Sequence, residues 1–200
     1  MRSAAQTQPE MRDRILGEAE RVFRAFGYAK TTVADIAKAC GMSPANVYRF
    51  FESKSAINEA ITGVVLRRME SLGMGIAAEP RPAAERLRRL IVEMHRFTCE
   101  QCLHESRVHE IVRKAMDEQW GVIDAHIQRM RLLYRALIED GITLGEFAPG
   151  GIEARAACVF NAALPFCHPQ VVAEKFAGDG GVQAAQMADF LVEALRRPHS

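Results

Sequence analysis

No stretch of these 200 residues approaches the ~20 uninterrupted apolar residues that a membrane-spanning helix needs, so no membrane partner is expected. The first nine residues, Met1 to Pro9, lack the basic-then-apolar layout of a secretory signal. They read as a short disordered tail, and the expected location is the cytoplasm. Five cysteines, an odd number in a chain with no export signal, point to reduced thiols rather than a disulfide framework. There is no Gly-rich phosphate loop, no nucleophile elbow and no His-Glu-x-x-His pair. Carboxylates are scattered beside Arg and Lys as on solvated helix faces, so an enzyme is not expected and no cofactor is called for. No alternating strand pattern is present either, which leaves an all-α chain. Charge of one sign is also missing: the formal net charge is +1. Residues 1–55 nevertheless carry nine Lys or Arg against six Asp or Glu, so the N-terminal end is the basic one.

What is present is a dense local pattern between Lys30 and Phe51. Thr32 suits a helix cap, and Asp35 three residues on can reach back to it, a capping box with Asp in place of Glu. Val33, Ile36 and Ala37 form an apolar stripe, and Gly41 is able to take positive φ at a helix end. Ser43 caps a second helix with Pro44 at its first position, where a missing N–H costs nothing. Val47, with Phe50 or Phe51, points back inward. Small Ala37, turn Gly41 and anchor Val47 meet the needs of a helix-turn-helix: close approach, a sharp bend and one inward anchor on the reading helix.

That second helix leaves Ala45, Asn46, Tyr48 and Arg49 facing outward or sideways. Asn pairs bidentately with adenine, Arg with guanine, and a small residue such as Ala touches a thymine methyl. Thr31, Thr32 and Tyr48 are expected as phosphate contacts, which position without reading sequence. Ser43 and Pro44 complete the expected DNA-facing set. Lys54 follows a cap at Ser53, so its charge and the N–H groups of a helix start are expected to share one phosphate.

These residues carry a resemblance. Thr-Thr-Val-x-Asp-Ile-Ala, then Gly-Met-Ser, then Val-Tyr-Arg-Phe-Phe-x-Ser-Lys is similar to the N-terminal signature of the TetR family of bacterial repressors, from about Arg12 to about Ile61. Ala45-Asn46 stands where the family often has Gly-Thr or Gly-Ala, and Phe51 where a His or Tyr is frequent. The resemblance implies an all-helical homodimer whose N-terminal domains grip double-stranded operator DNA. Its C-terminal domain holds a small-molecule effector, which the sequence does not name.

Residues 1–55 are accordingly expected to form a three-helix reading head, and residues 56–200 a helical effector-binding and dimerisation body. Ile15, Leu16, Ala19, Val22, Phe23 and Phe26 make the buried stripe of the first helix. A connecting helix is predicted from about Lys54 to Met74, with Gly73, Gly75 and the stretch from Ala77 to Pro82, with its two prolines, marking the break after it. Further helices are predicted from Pro82 to Cys102, over 107–116, from Val122 to Gly141, from Ile152 to Pro165 and from Val182 to Arg197. The last two have alanine-rich second faces that allow close approach. They are read as the dimer pair, through Ala156, Val159, Phe160, Ala163, Met187, Phe190, Leu191 and Ala194.

In the body, His95, Phe97, Cys102, Met116, Trp120, His126, Met130, Tyr134 and Phe160 are candidate pocket residues. Met and aromatic side chains give an adaptable apolar wall, with His and Tyr as polar handles. The same residue types also build an ordinary core. His95, Cys99 and Cys102 fall on one helical face, which offers the alternative of a metal- or thiol-sensing regulator. Against it, a Cys-x-x-Cys within a helix does not place its sulfurs as a knuckle loop does, and no metal is assigned. A third possibility is an interaction module whose head no longer reads DNA.

Overall fold

Capping chemistry sets where the first helices begin. The computed structural model describes residues 7–102, 121–176 and 180–197. Helix α1 (Gln8–Phe26) opens on a reciprocal cap, in which the Thr7 hydroxyl accepts from the Glu10 N–H and the Glu10 carboxylate accepts from the Thr7 N–H. Gln8 and Pro9, expected in a disordered tail, are therefore the first turn of a helix. Gly27 ends α1 at φ 87°, a left-handed value that glycine takes without a Cβ clash. Helix α2 (Val33–Ala39) starts on the expected box between Thr32 and Asp35. Gly41, at φ 64°, turns the chain into α3 (Pro44–Tyr48), capped by Ser43 through the Asn46 N–H. Ile15, Leu16, Ala19 and Phe23 of α1, Ile36 and Ala37 of α2, and Val47 of α3 close into one core with Cys40 and Phe51.

Helix α4 (Lys54–Ala77) is continuous over 24 residues and runs through both glycines that were expected to mark its end. Packing explains this at Gly73: a Cβ there would stand 2.7 Å from a Leu133 methyl, so the missing side chain is what lets the neighbouring helix approach. Ile57 lies in the head core, with Ala60, Ile61 and Val64 packed against it. Met69 and Ile76, further along, lie in the body core. A division at residue 55 thus falls short of the head's last core residues, and α4 belongs to both halves.

The body is built from α5 (Ala83–Cys102), α6 (Gly121–Thr143), α7 (Ile152–Cys167), α8 (Pro169–Lys175) and α9 (Gly180–Arg196). Helix α5 packs against α9, α4 and α6, while α6 packs on α4 and α7. Leu87, Leu90, Ile91 and Met94 of α5 form the centre of the core with Tyr134, Leu137 and Ile138 of α6. The Glu146 carboxylate accepts from the backbone N–H groups of Ala83 and Ala84 at 2.9 and 3.0 Å, capping α5 from a distant loop. Helix α6 continues past Gly141, because Phe147 folds its ring into the space a Cβ would fill. Helix α7 continues two residues past Pro165, and α8, unforeseen from the sequence, follows at a 60° bend with Pro169 in its first turn. The helix predicted over 107–116 lies outside the described residues. Among the described residues no single helix is long and apolar enough to cross a membrane.

Candidate nucleic-acid interface

Helix α3 is held from one side only. Val47 is fully buried in the head core, while Ser43, Pro44, Ala45, Asn46, Tyr48 and Arg49 are exposed. Arg14 of α1 donates from Nη2 to the Cys40 carbonyl at 2.9 Å, tying the end of α2 to the first helix. The turn between α2 and α3 is closed by the Met42 N–H on the Ala37 carbonyl at 2.9 Å. The result is a short rigid helix whose outer side carries an amide, a guanidinium and a phenol, the groups that read base edges and hold phosphates.

Three expected phosphate contacts are placed otherwise. Thr31 is 2 % exposed, and its hydroxyl donates to the Gly27 carbonyl at 2.8 Å. It is a buried strut, since a hydroxyl in that position cannot reach a strand outside. Thr32 is exposed, but its hydroxyl donates to the Asp35 carboxylate at 2.6 Å. That bond and the Thr32 backbone N–H hold the Asp35 carboxyl below its ordinary range, so Thr32 serves the cap. Lys54 turns its ammonium onto the protein, donating to the carbonyls of Tyr28 at 2.8 Å and Thr31 at 2.9 Å. Tyr48, by contrast, is 53 % exposed.

In the body, the candidate polar handles have internal partners. His126 Nδ1 lies 2.8 Å from Glu70 of α4, and Arg129 pairs with the other carboxylate oxygen at 2.8 Å. Glu70 is the partner a buried imidazole needs, and nothing in its own sequence neighbourhood singles it out. His95 donates from Nδ1 to the Phe166 carbonyl at 2.9 Å, and its ring stands edge-on to Phe166 and Phe176. Met130, Tyr134 and Phe160 are members of the hydrophobic core, with Tyr134 edge-on to Phe160 at 5.8 Å, and Phe97 packs against that core. Met116 and Trp120 lie outside the described residues, as does the side chain of Cys102. Of the described candidates, His95 and His126 are thus held by internal partners and Phe97, Met130, Tyr134 and Phe160 by core packing.

The thiol reading meets an obstacle at Cys99. Its sulfur is 3.4 Å from His95 Nε2, so the thiol serves as donor to the ring nitrogen that the Phe166 bond leaves as acceptor. Burial raises the Cys99 pKa, with Glu100 adding to it, and a protonated thiol is a poor nucleophile and ligand. Cys167 is pushed up to about 12 by burial. It is the last residue of α7 rather than part of a loop. Among the described residues no three His, Cys, Asp or Glu side chains gather as a metal site.

The residues named for a dimer face divide. Ala156, Val159, Phe160, Ala163 and Leu191 are buried within the single chain. Their stripe is spent on the protomer's own core and cannot also meet a second copy. Met187 and Ala194 are half-buried, and Phe190 is 68 % exposed. The outer side of the two helices instead presents Leu164, Val182 and Phe190 among small and polar residues.

Comparison with known proteins agrees with this architecture. Residues 15–61 match the profile described as bacterial regulatory proteins, tetR family. Residues 83–185 match the profile described as tetracyclin repressor-like, C-terminal domain. An uncharacterized HTH-type transcriptional regulator of Mycobacterium tuberculosis is 38 % identical over 82 residues, covering 41 % of this chain and 39 % of that protein. The aligned part thus spans well under half of that relative. A TetR-family transcriptional regulator from Pectobacterium atrosepticum superposes with a TM-score of 0.75 at 20 % identity, covering 97 % of this chain and 100 % of the other. The regulator FadR from Bacillus subtilis, in complex with stearoyl-CoA, superposes with a TM-score of 0.67 at 16 % identity, covering 90 % and 97 %. Likeness at these identities shows the shared fold. The helix-turn-helix head, the all-helical body and the two matching profiles make this chain a member of the TetR family of bacterial regulatory proteins.

Proposed function

We propose that this regulator is a ligand-responsive repressor that binds a palindromic operator as a homodimer and is released by a small-molecule effector. The observation that carries the reading is the exposed Asn46–Arg49 face of α3, anchored by fully buried Val47 and joined to the body through one unbroken helix. Two such heads in a symmetric dimer meet successive major grooves when their reading helices lie one DNA turn, ~34–36 Å, apart, or a multiple of it. The pairing surface we assign is the outer side of α7 and α9, where Leu164, Val182 and Phe190 are exposed on the single chain. An effector held in the body, between residues 56 and 200, releases the operator only if it binds better to the state with the wrong head separation. The similar FadR holds stearoyl-CoA, which supports an effector with a large apolar part in a body where His95 and His126 already have internal partners. The regulator acts in the cytoplasm, where its operator lies.

The test is selection of bound genomic fragments by the purified protein at defined salt, with and without candidate effectors. Enrichment of a palindromic site whose binding weakens on adding effector supports the reading. Recovery of no enriched site overturns it.

A further inference from the structure

Besides the apolar packing of Ile57, a polar side chain fastens the connecting helix to the head. Lys54 is the first residue of α4. Its ammonium donates to the Tyr28 carbonyl at 2.8 Å and the Thr31 carbonyl at 2.9 Å, and sits 4.3 Å from the centre of the Tyr28 ring. The Tyr28 ring is buried edge-on against Phe23 of α1 at 5.2 Å. Thr31 is locked to the Gly27 carbonyl and leads directly into the Thr32 cap that starts α2. One ammonium therefore grips the whole span between α1 and α2, in a partly buried setting where cation–π attraction and charged hydrogen bonds reinforce each other.

We propose that Lys54 is a positioning residue for operator binding: it ties the start of α4 to the loop that carries α2 and α3, and it is not a phosphate contact. This rests on the repressor reading above. At its other end α4 is pinned to α6 through Glu70, His126 and Arg129, and close-packed at Gly73 against Leu133. A shift of α4 in the body is thus delivered to the carbonyls of Tyr28 and Thr31, and through them to the α2 cap. A phosphate contact and a tie leave different signatures. Each neutralised phosphate adds about 0.9 to the slope of log affinity against log salt, so loss of one per protomer makes a dimer's slope shallower by about 1.8 and weakens all duplexes alike. Loss of a tie misplaces the reading helix, which weakens the specific site alone.

The experiment compares wild type with Lys54→Met on the duplex enriched by wild type and on a scrambled duplex of equal length, over a salt series. The tie predicts about tenfold or greater loss on the enriched duplex, a slope within about 0.5 of wild type, and scrambled-duplex binding within about twofold. A slope shallower by about 1.8 with parallel loss on both duplexes, or wild-type behaviour throughout, overturns it. If Lys54→Met does not fold, Lys54→Arg carries the test. It keeps the charge but not the compact ammonium, so the tie predicts about threefold or greater loss of specific binding, and a phosphate role predicts none. Failure of wild type to bind any duplex is a separate result, and it overturns the repressor reading itself.

Discussion

Glu70 of α4 accepts a hydrogen bond from Nδ1 of His126 on α6 at 2.8 Å, across the seam between the connecting helix and the body. Desolvation is the larger influence on His126 and holds the imidazole below its ordinary 6.5, although the carboxylate pulls the other way. The folded chain therefore takes up a proton less readily than the unfolded chain. The corresponding stability is full above pH 6.5 and is lost as the pH falls through the window below it. We expect urea midpoints to drop between pH 7.5 and pH 5.5, and His126→Gln to flatten that dependence. His168 is shifted in the same direction by burial, so part of the slope survives in the variant.

Two glycines of similar sequence appearance predict opposite outcomes. A Cβ on Gly75 of α4 meets nothing within 4 Å, so Gly75→Ala is expected to stabilise by about 0.5–1 kcal/mol through the unfolded chain's lost freedom. On Gly141 of α6 the same Cβ meets three atoms of the Phe147 ring. Gly141→Ala is expected to destabilise by about 1–3 kcal/mol, since a buried ring cannot step aside cheaply. Denaturant unfolding of both variants decides the matter.

Asn58 is 0 % exposed, and among the described residues neither amide atom has a hydrogen-bond partner. It lies one residue from Ile57 in the head core, where an apolar side chain of similar size suits the site better. Asn58→Leu is expected to raise stability by about 1 kcal/mol. A fall in the urea midpoint contradicts this.

The dimer reading makes its own prediction at Phe190, which contributes almost nothing to the protomer's core. Phe190→Glu should leave the helical signal and melting of the protomer intact while shifting sedimentation toward the monomer. Unchanged association contradicts the assignment of α7 and α9 as the pairing surface.

The head was legible because its signals are local. Thr32 with Asp35, Ser43 with Pro44, and Gly41 each act within four residues, so caps and turn could be read off one strip of sequence. What that strip concealed was direction. Thr31 and Lys54 have the right chemistry for phosphates, but Gly27, Tyr28 and Thr31 supply carbonyls that draw them inward. Gly73 looked like a break because propensity counts glycine against a helix, whereas in the fold it lies where a Cβ would press on a Leu133 methyl. The stripe Ala156, Val159, Phe160 and Ala163 was correctly apolar, yet an amphipathic pattern does not say which surface covers it. The partners of His95 and His126 lie on other helices, at Phe166 and Glu70, and no spacing rule links them.

The most direct measurement of the central claim is the ratio of specific to non-specific affinity for Asn46→Ala and Arg49→Ala against wild type. The duplexes are the enriched operator and a scrambled partner of equal length, at one fixed salt concentration. If α3 reads the operator, each variant lowers the ratio by about tenfold or more while binding to the scrambled duplex changes little. An unchanged ratio in both variants contradicts the claim that this helix reads DNA.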